Sequence, residues 1–492
     1  MTEAKRSIAM VSGSLQPLTS DIGNDICPRD KTTTMGNFRQ QAIVTTGGIA
    51  LMDAILLSRI QFGVAAGFHF IFPPLSLGIS LFILIFETLY LRFNNDLHKT
   101  ISSFLIKILG LIFVLGVATG IVLEFSFGTN WAQYSRLVGD IFGVPLAAEG
   151  IFSFFLESVF LGLLVFGREK VSKKTYWLAA FLVFVGAHLS GLWIIIANSW
   201  MQTPAGYTLD NGRALLTNFT AAVFNPSMLN RFLHVIIAAW ITGSLFLAGI
   251  SSWYLIKNRY ESFARYLLKA ALIVFIATAL VQFGSGHASS IIVAQTQPEK
   301  LAAFEALWQS KEGAPLALFG IPIESEQKTY INIAVPKLLS LMVNFDPNSK
   351  IAGLNEFPPN ELPPIFVSFA SYHIMIALGS LFLFLALLGG FFLMKKTIYK
   401  KKWFLSILIV TSPLPLLANE FGWIAAEVGR QPWAVYKILK TADAVSVVVP
   451  AWQVLFSLVM FSLIFLLLLG FFIYILMKII KKGPDAVSGG YS

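Results

Sequence analysis

Cysteine is nearly absent. Cys27 is the one cysteine in 492 residues, so neither a disulfide framework nor a thiolate metal cluster is available. Charge is scarce too: 13% of the residues are charged, against about 25% in a soluble domain. No apolar stretch follows the early Lys5 and Arg6, so a secretory signal peptide is not expected. No internal repeat is visible, which weakens a transporter reading built on inverted halves. What the chain does have is apolar surface, with 56% hydrophobic residues, 44 of them phenylalanine, and a mean hydropathy of +0.72. The expected class is an all-α integral membrane protein. The net charge of +10 does not imply nucleic acid, because membrane proteins keep lysine and arginine for their cytoplasmic loops.

Residues 1–51 are polar and hold no stretch near the ~20 apolar residues of a span. They read as disordered, or as an upstream extension of a chain that begins at Met52. Beyond them nine apolar segments follow, roughly 60–90, 103–128, 145–167, 176–198, 229–256, 266–294, 364–394, 403–425 and 450–477. Transmembrane helices 1–6 thus fall within 52–294 and helices 7–9 within 364–480, with a tail at 481–492. The loops after the odd-numbered segments carry 18 Lys and Arg and those after the even-numbered ones 10. The positive-inside rule then places the N-terminus outside and the C-terminus in the cytoplasm. The longest loop, 295–363, lies outside, contains the short amphipathic helix "QPEKLAAFEALWQS", and has a length that usually signals function.

Polar groups at membrane depth are costly and are functional candidates by default. In "GFHFIFPPLSLGIS", Pro73 and Pro74 have no N–H for the carbonyls of His69 and Phe70, so the helix kinks beside the imidazole. Ligation of a metal or heme and a buried histidine bonded to a neighbouring helix both suit His69. His234 and Met375 open the fifth and seventh segments at matched depth, and His/Met is an axial pair for a low-spin heme; packing is the plain alternative for Met375. Glu149 and Glu157 are eight residues apart on one segment, about 12 Å along a helix, and suit a proton relay or a pair of protonated, hydrogen-bonded acids. In "NEFGWIAAEVGRQPW", Glu420, Trp423 and Glu427 share a face, with Arg430 one turn beyond. That set suits an iron ligand, an indole screen and a propionate clamp, or a plain Glu427–Arg430 ion pair.

Through "LSRIQFGVAAGFHFIFPPLSLG", "GVATGIVLEFSFGTNWAQYSRLVGDIFGVPLAAEG", "KLAAFEALW" and "GWIAAEVGRQPW", the chain resembles subunit I of the cytochrome bd-type quinol oxidases over about residues 52–480. The resemblance implies a terminal oxidase of the bacterial inner membrane that oxidises quinol at the outer face and reduces dioxygen to water with cytoplasmic protons. By position, His234 and Met375 correspond to the ligands of a low-spin heme b. His69 and Glu427 correspond to the ligands of two high-spin hemes, one b and one d, in an order that the resemblance leaves open. Glu149 and Glu157 correspond to proton-delivery acids, Lys300 and Glu305 to a quinol-loop pair, and Trp423 and Arg430 to heme contacts. Implied partners are oxidase subunit II in a heterodimer, a small single-span accessory subunit, quinol, dioxygen and membrane lipid.

Two departures stand out. Relatives often have arginine two residues before the ligating methionine, where this chain has His373. The loop is also short, as in the short-loop and cyanide-insensitive branch, where a second high-spin heme b can replace heme d. The competing class is a transporter or a non-catalytic heme electron carrier, neither of which needs ligands for open-coordinated irons.

Overall fold

The computed structural model describes residues 53–484. The expected extension at 1–51 and the end of the tail, 485–492, lie outside the described residues. Among the described residues, nine helices are long and apolar enough to cross a membrane: Ala54–Phe93, Asp96–Thr129, Ala132–Phe166, Lys173–Gln202, Met228–Ile256, Glu261–Thr296, Ile365–Met394, Lys402–Val428 and Ala451–Lys482. They are called spans one to nine below. Side-chain caps start several of them: Asp53 accepts from Ile55 N at 3.1 Å, Asn95 from Leu97 N at 2.9 Å and Ser172 from Thr175 N at 3.2 Å. Each satisfies a backbone N–H that a helix start leaves free.

The third span begins at Ala132, well before the expected 145. "AQYSRLVGDIFGV" is an amphipathic helix whose Arg136 and Asp140 mask its apolar face in a hydropathy reading; Asp140 accepts from Leu216 N at 2.7 Å, tying the helix to a loop hairpin. The membrane part is all helix, while the connecting loops add four two-stranded sheets. In the 295–363 loop, Leu316–Ile323 pairs antiparallel with Lys328–Val335. The Glu324 carboxylate between those strands caps span seven, accepting from Ile365 N at 2.8 Å and Phe366 N at 3.1 Å. A single-helix picture of that loop missed this, because short hairpins bounded by Gly and Pro leave a weak apolar pattern.

Lipid gives helices no hydrophobic reason to associate, so packing and small residues decide where they meet. Spans one and five cross backbone to backbone: a Cβ on Gly78 would lie 2.6 Å from Ala239 O and 2.7 Å from Gly243 Cα. Consecutive spans alternate in direction, so these two run parallel. His69 and His234 each lie nine residues before the crossing, about 13 Å along each axis. The crossing therefore sets two histidines at similar depth, toward the end of the bundle that carries the long loop. The other end is closed by a core of Phe86, Phe104, Tyr254, Phe275 and Phe404, all fully buried.

Candidate functional site

The first span breaks at Ile71 into Ala54–Phe70 and Phe72–Phe93, as the two prolines require. Pro73 falls in the first turn of the second piece, where its missing N–H has no helical acceptor to lose. His69 ends the first piece, with its Nδ1 2.9 Å from Thr119 Oγ1 on span two. Next to it the Phe70 ring meets Trp423 of span eight edge-on at 5.2 Å, and a Cβ on Gly67 would lie 3.1 Å from Glu420 Oε2. The His69 turn and the Glu420–Trp423 face therefore pack together.

His234 turns toward span six, with Nδ1 2.9 Å from Ser285 Oγ and Nε2 3.1 Å from Gln282 Nε2. Met375 turns toward span eight, where a Cβ on Gly422 would lie 3.1 Å from its sulfur. His373, two residues before it, places Nδ1 2.9 Å from Phe369 O and Nε2 3.0 Å from Ala317 O.

The densest polar cluster joins the ends of spans four, five and eight to the long loop. Glu427 Oε1 accepts from Asn198 Nδ2 and Gln202 Nε2, both at 3.0 Å, and its other oxygen pairs with Arg430. Arg231 donates to Asn198 Oδ1 at 3.4 Å. Lys300 donates to Gln202 Oε1 and Gln297 Oε1 at 3.0 Å and to Ala426 O at 2.7 Å. Three cations thus surround Glu427; Glu299, a second carboxylate, turns toward Tyr436. Buried Nε and Nη1 of Arg430 have no partner. Despite these partners, 32% of the Glu427 side chain stays accessible, so the carboxylate is not closed off by protein groups alone.

Lys300 and Glu305 do not form a pair. Their helix, Pro298–Phe304, is buried on every side, not laid on the surface as an amphipathic segment would be, because it is roofed by the loop and floored by the span ends. Burial, reinforced by Arg231, pushes the Lys300 ammonium well below its usual range, and its three hydrogens already have three protein acceptors. Glu305 Oε2 accepts from Ala317 N at 2.9 Å, while its buried Oε1 has no partner. Burial raises this carboxyl to about 8, with the Ala317 N–H pulling the other way.

Glu149 and Glu157 sit on span three, but not on one continuous α-helical face. Residues Glu149–Phe154 form a π-helical turn, whose wider winding rotates the first acid away from the second. Glu149 accepts from Ser190 Oγ of span four at 2.7 Å and Glu157 from Ser76 Oγ of span one at 3.3 Å. Sequence reasoning missed Thr119, Asn198, Gln202, Arg231, Gln282 and Ser285. Arg231 alone gave a signal, a cation beside an apolar run; the others are neutral side chains whose importance comes only from what they face.

The sequence profile of the family described as cytochrome bd terminal oxidase subunit I matches residues 57–484. The chain belongs to that family. It is 38% identical over 445 residues, 88% of this chain and 95% of the relative, to cytochrome bd ubiquinol oxidase subunit 1 of Bacillus subtilis (strain 168). It is 33% identical to cytochrome bd-II ubiquinol oxidase subunit 1 of Escherichia coli (strain K12), over 89% of this chain and 98% of that one. The bd oxidase structure from Geobacillus thermodenitrificans superposes with a TM-score of 0.82 at 28% identity, covering 88% of this chain and all of the other. With the family come quinol:oxygen oxidoreductase activity, heme cofactors and a multi-pass place in the bacterial inner membrane. The transporter and simple-carrier readings fall away.

The residues of this cytochrome bd subunit suit hemes. Among the described residues no group of three or more His, Cys, Asp or Glu could hold a metal ion. The unpartnered Arg430 nitrogens and the surplus of cations suit propionates, and the accessible side of Glu427 suits a macrocycle edge.

Proposed function

We propose that this subunit oxidises quinol at the long-loop end of the bundle, outside the cell, and delivers cytoplasmic protons to a dioxygen site inside it. The observation that carries the reading is the Glu427 cluster, a buried site with three cations, one facing carboxylate and two unpartnered arginine nitrogens, which calls for an anionic guest. His234 and Met375 would hold a low-spin heme b. His69 and Glu427 would hold two high-spin hemes, one b and one d, or a further heme b in place of d. When bound, these groups supply one-electron transfer and open iron positions for dioxygen.

The chain's own residues handle charge and protons. Arg430 and Arg231 hold anionic substituents, and Trp423 screens the His69 side against water. Glu305 takes a quinol proton on its free Oε1. Lys300 belongs with Glu305 to the quinol site, where it also fixes the Gln202 and Gln297 amides. Glu149 and Glu157 pass protons inward, with Ser190 and Ser76 as their hydroxyl partners. The 18-to-10 excess of Lys and Arg on the opposite loops supports a cytoplasmic C-terminus. Quinol protons then leave outside while those for water come from inside, so charge separates without pumping. Oxidase subunit II suits the outward apolar faces of spans three and nine, whose central windows are only 22% and 11% buried. A small single-span accessory subunit and lipid would cover what remains.

The test is a reduced-minus-oxidised spectrum with pyridine hemochrome analysis of the purified complex. His234→Ala and Met375→Leu should each remove the low-spin signal and turnover. His69→Ala and Glu427→Ala should each remove one high-spin heme. Full heme content in all four variants would overturn the assignment.

A further inference from the structure

We infer that two hydroxyl–glycine dipeptides, Thr119–Gly120 and Ser285–Gly286, are positioning devices that turn His69 and His234 so that each presents Nε2 to its iron. The inference rests on the ligand reading above. Thr119 Oγ1 donates its own hydrogen to Leu115 O at 2.9 Å. With its hydrogen on that carbonyl or on Gly116 O at 3.1 Å, the same oxygen accepts from His69 Nδ1, 2.9 Å away. The hydrogen of the neutral ring then sits on Nδ1, and the lone pair sits on Nε2.

Spans five and six repeat the arrangement independently. Ser285 Oγ donates to Gln282 O at 3.0 Å and faces His234 Nδ1 at 2.9 Å, again as an acceptor. The Gln282 amide lies 3.2 Å from Nδ1 and 3.1 Å from Nε2; with Nδ1 committed to Ser285, its hydrogen meets the Nε2 lone pair. The glycine after Thr119 leaves room for the ring, since a Cβ on Gly120 would lie 3.2 Å from His69 Cε1; Gly286 lines the His234 ring more loosely, where a Cβ would make an ordinary contact with Cε1 at 3.7 Å.

Two other histidines lack this arrangement. His188 gives Nδ1 to Phe184 O at 2.7 Å and receives Trp240 Nε1 on Nε2 at 3.0 Å; its Nε2 takes a side-chain N–H as that of His234 does, but its Nδ1 faces a carbonyl and not a hydroxyl. His373 faces a carbonyl with each nitrogen. A hydroxyl or carbonyl acceptor on the far nitrogen of a ligating histidine fixes its tautomer and raises its basicity, and losing such a partner typically costs 10–100-fold in metal affinity.

The experiment compares Thr119→Val, Thr119→Ser, Ser285→Ala and Ser285→Thr in the purified complex. Heme retained on dialysis against apomyoglobin and the optical midpoint potential of each heme are read. Thr119→Val should weaken retention of the high-spin heme at His69 by 10–100-fold or raise its potential, because a less basic imidazole stabilises ferric iron less. Ser285→Ala should do the same to the low-spin heme only. Thr119→Ser and Ser285→Thr keep the acceptor and should restore both readings, which a mere packing role would not require. Unchanged retention and potential in both deletion variants would overturn the inference, as would equal defects in the conservative variants. His69→Ala and His234→Ala serve as controls: if they keep their hemes, the ligand reading fails. If they lose them while Thr119→Val and Ser285→Ala behave as wild type, only the positioning inference fails.

Discussion

Buried carboxylate–arginine pairs occur at both ends of the bundle, and they differ in balance. At the lysine-rich end, Glu87 accepts from Ser102 and from Arg168 at 2.5 Å. Arg168 also donates to Ser102 at 3.2 Å and stacks 4.0 Å over the Tyr176 ring. One anion meets one cation, and Arg168 has no buried nitrogen left without a partner. At the long-loop end, Glu427 faces Arg430, Arg231 and Lys300, and two Arg430 nitrogens have no partner. A balanced pair completes itself inside the protein, and an unbalanced one is open to a guest. The same two residue types serve architecture in one place and, on the function proposed above, ligand binding in the other.

The largest expected effect follows from removing the two acids. Glu87→Ala strands Arg168 and should destabilise the complex by about 3–5 kcal/mol, with heme per folded subunit unchanged. Replacing both partners, as Glu87→Leu with Arg168→Met, should recover much of that loss. Glu427→Ala should destabilise as well, since it strands Arg430, whose hydrogen-bond partner is Glu427, but should in addition strip one heme and abolish turnover. Thermal unfolding and pyridine hemochrome content check both arms. Heme loss in Glu87→Ala with retention in Glu427→Ala would invert the comparison.

How much of this was legible in the chain depends on how local each feature is. Nine spans could be read because an apolar run and its flanking lysines are contiguous. The start of span three could not, because Arg136 and Asp140 interrupt its apolar face. The π-helical turn at Glu149 leaves no pattern, since its winding is imposed by packing against span four. The chain itself pointed to His69, His234, Met375 and Glu427, but not to what surrounds them. Asn198, Gln202 and Gln297 are ordinary polar residues until the fold carries them to Glu427, which Asn198 meets across 229 positions of sequence. Lys300 shows the same: the resemblance implies a quinol-loop role for it, and the chain gives no sign of the Gln202, Gln297 and Ala426 acceptors that the fold sets around its ammonium.

A smaller effect separates Glu305 from both pairs, since it is a buried carboxyl with no arginine beside it. Its carboxyl stands at about 8 because burial disfavours the anion. It is therefore mostly protonated at neutral pH, and only the ionised form can accept a proton from quinol. The quinol kcat/KM should rise about tenfold per pH unit below 8 and level off above it. Glu305→Gln should lower the plateau and abolish that rise. Steady-state kinetics over about pH 6 to 9 check it, and an unchanged slope in the variant would remove Glu305 from the proton path.

The smallest effect concerns His373, which stands where relatives often have arginine. Each ring nitrogen lies against a carbonyl oxygen, Phe369 O at 2.9 Å and Ala317 O at 3.0 Å. Span seven and the loop strand thus hold the ring by both nitrogens, where an arginine would carry a permanent charge. A cation near a heme favours the reduced form, which carries one more electron. Restoring the arginine, His373→Arg, should then raise the low-spin midpoint potential by up to about 60 mV, a tenfold change for a one-electron couple. His373→Gln keeps polarity without the ring and should leave the potential below that of His373→Arg. Redox titration of all three forms decides the matter. Equal potentials in His373→Arg and the parent chain would remove this position from the electrostatics of the heme.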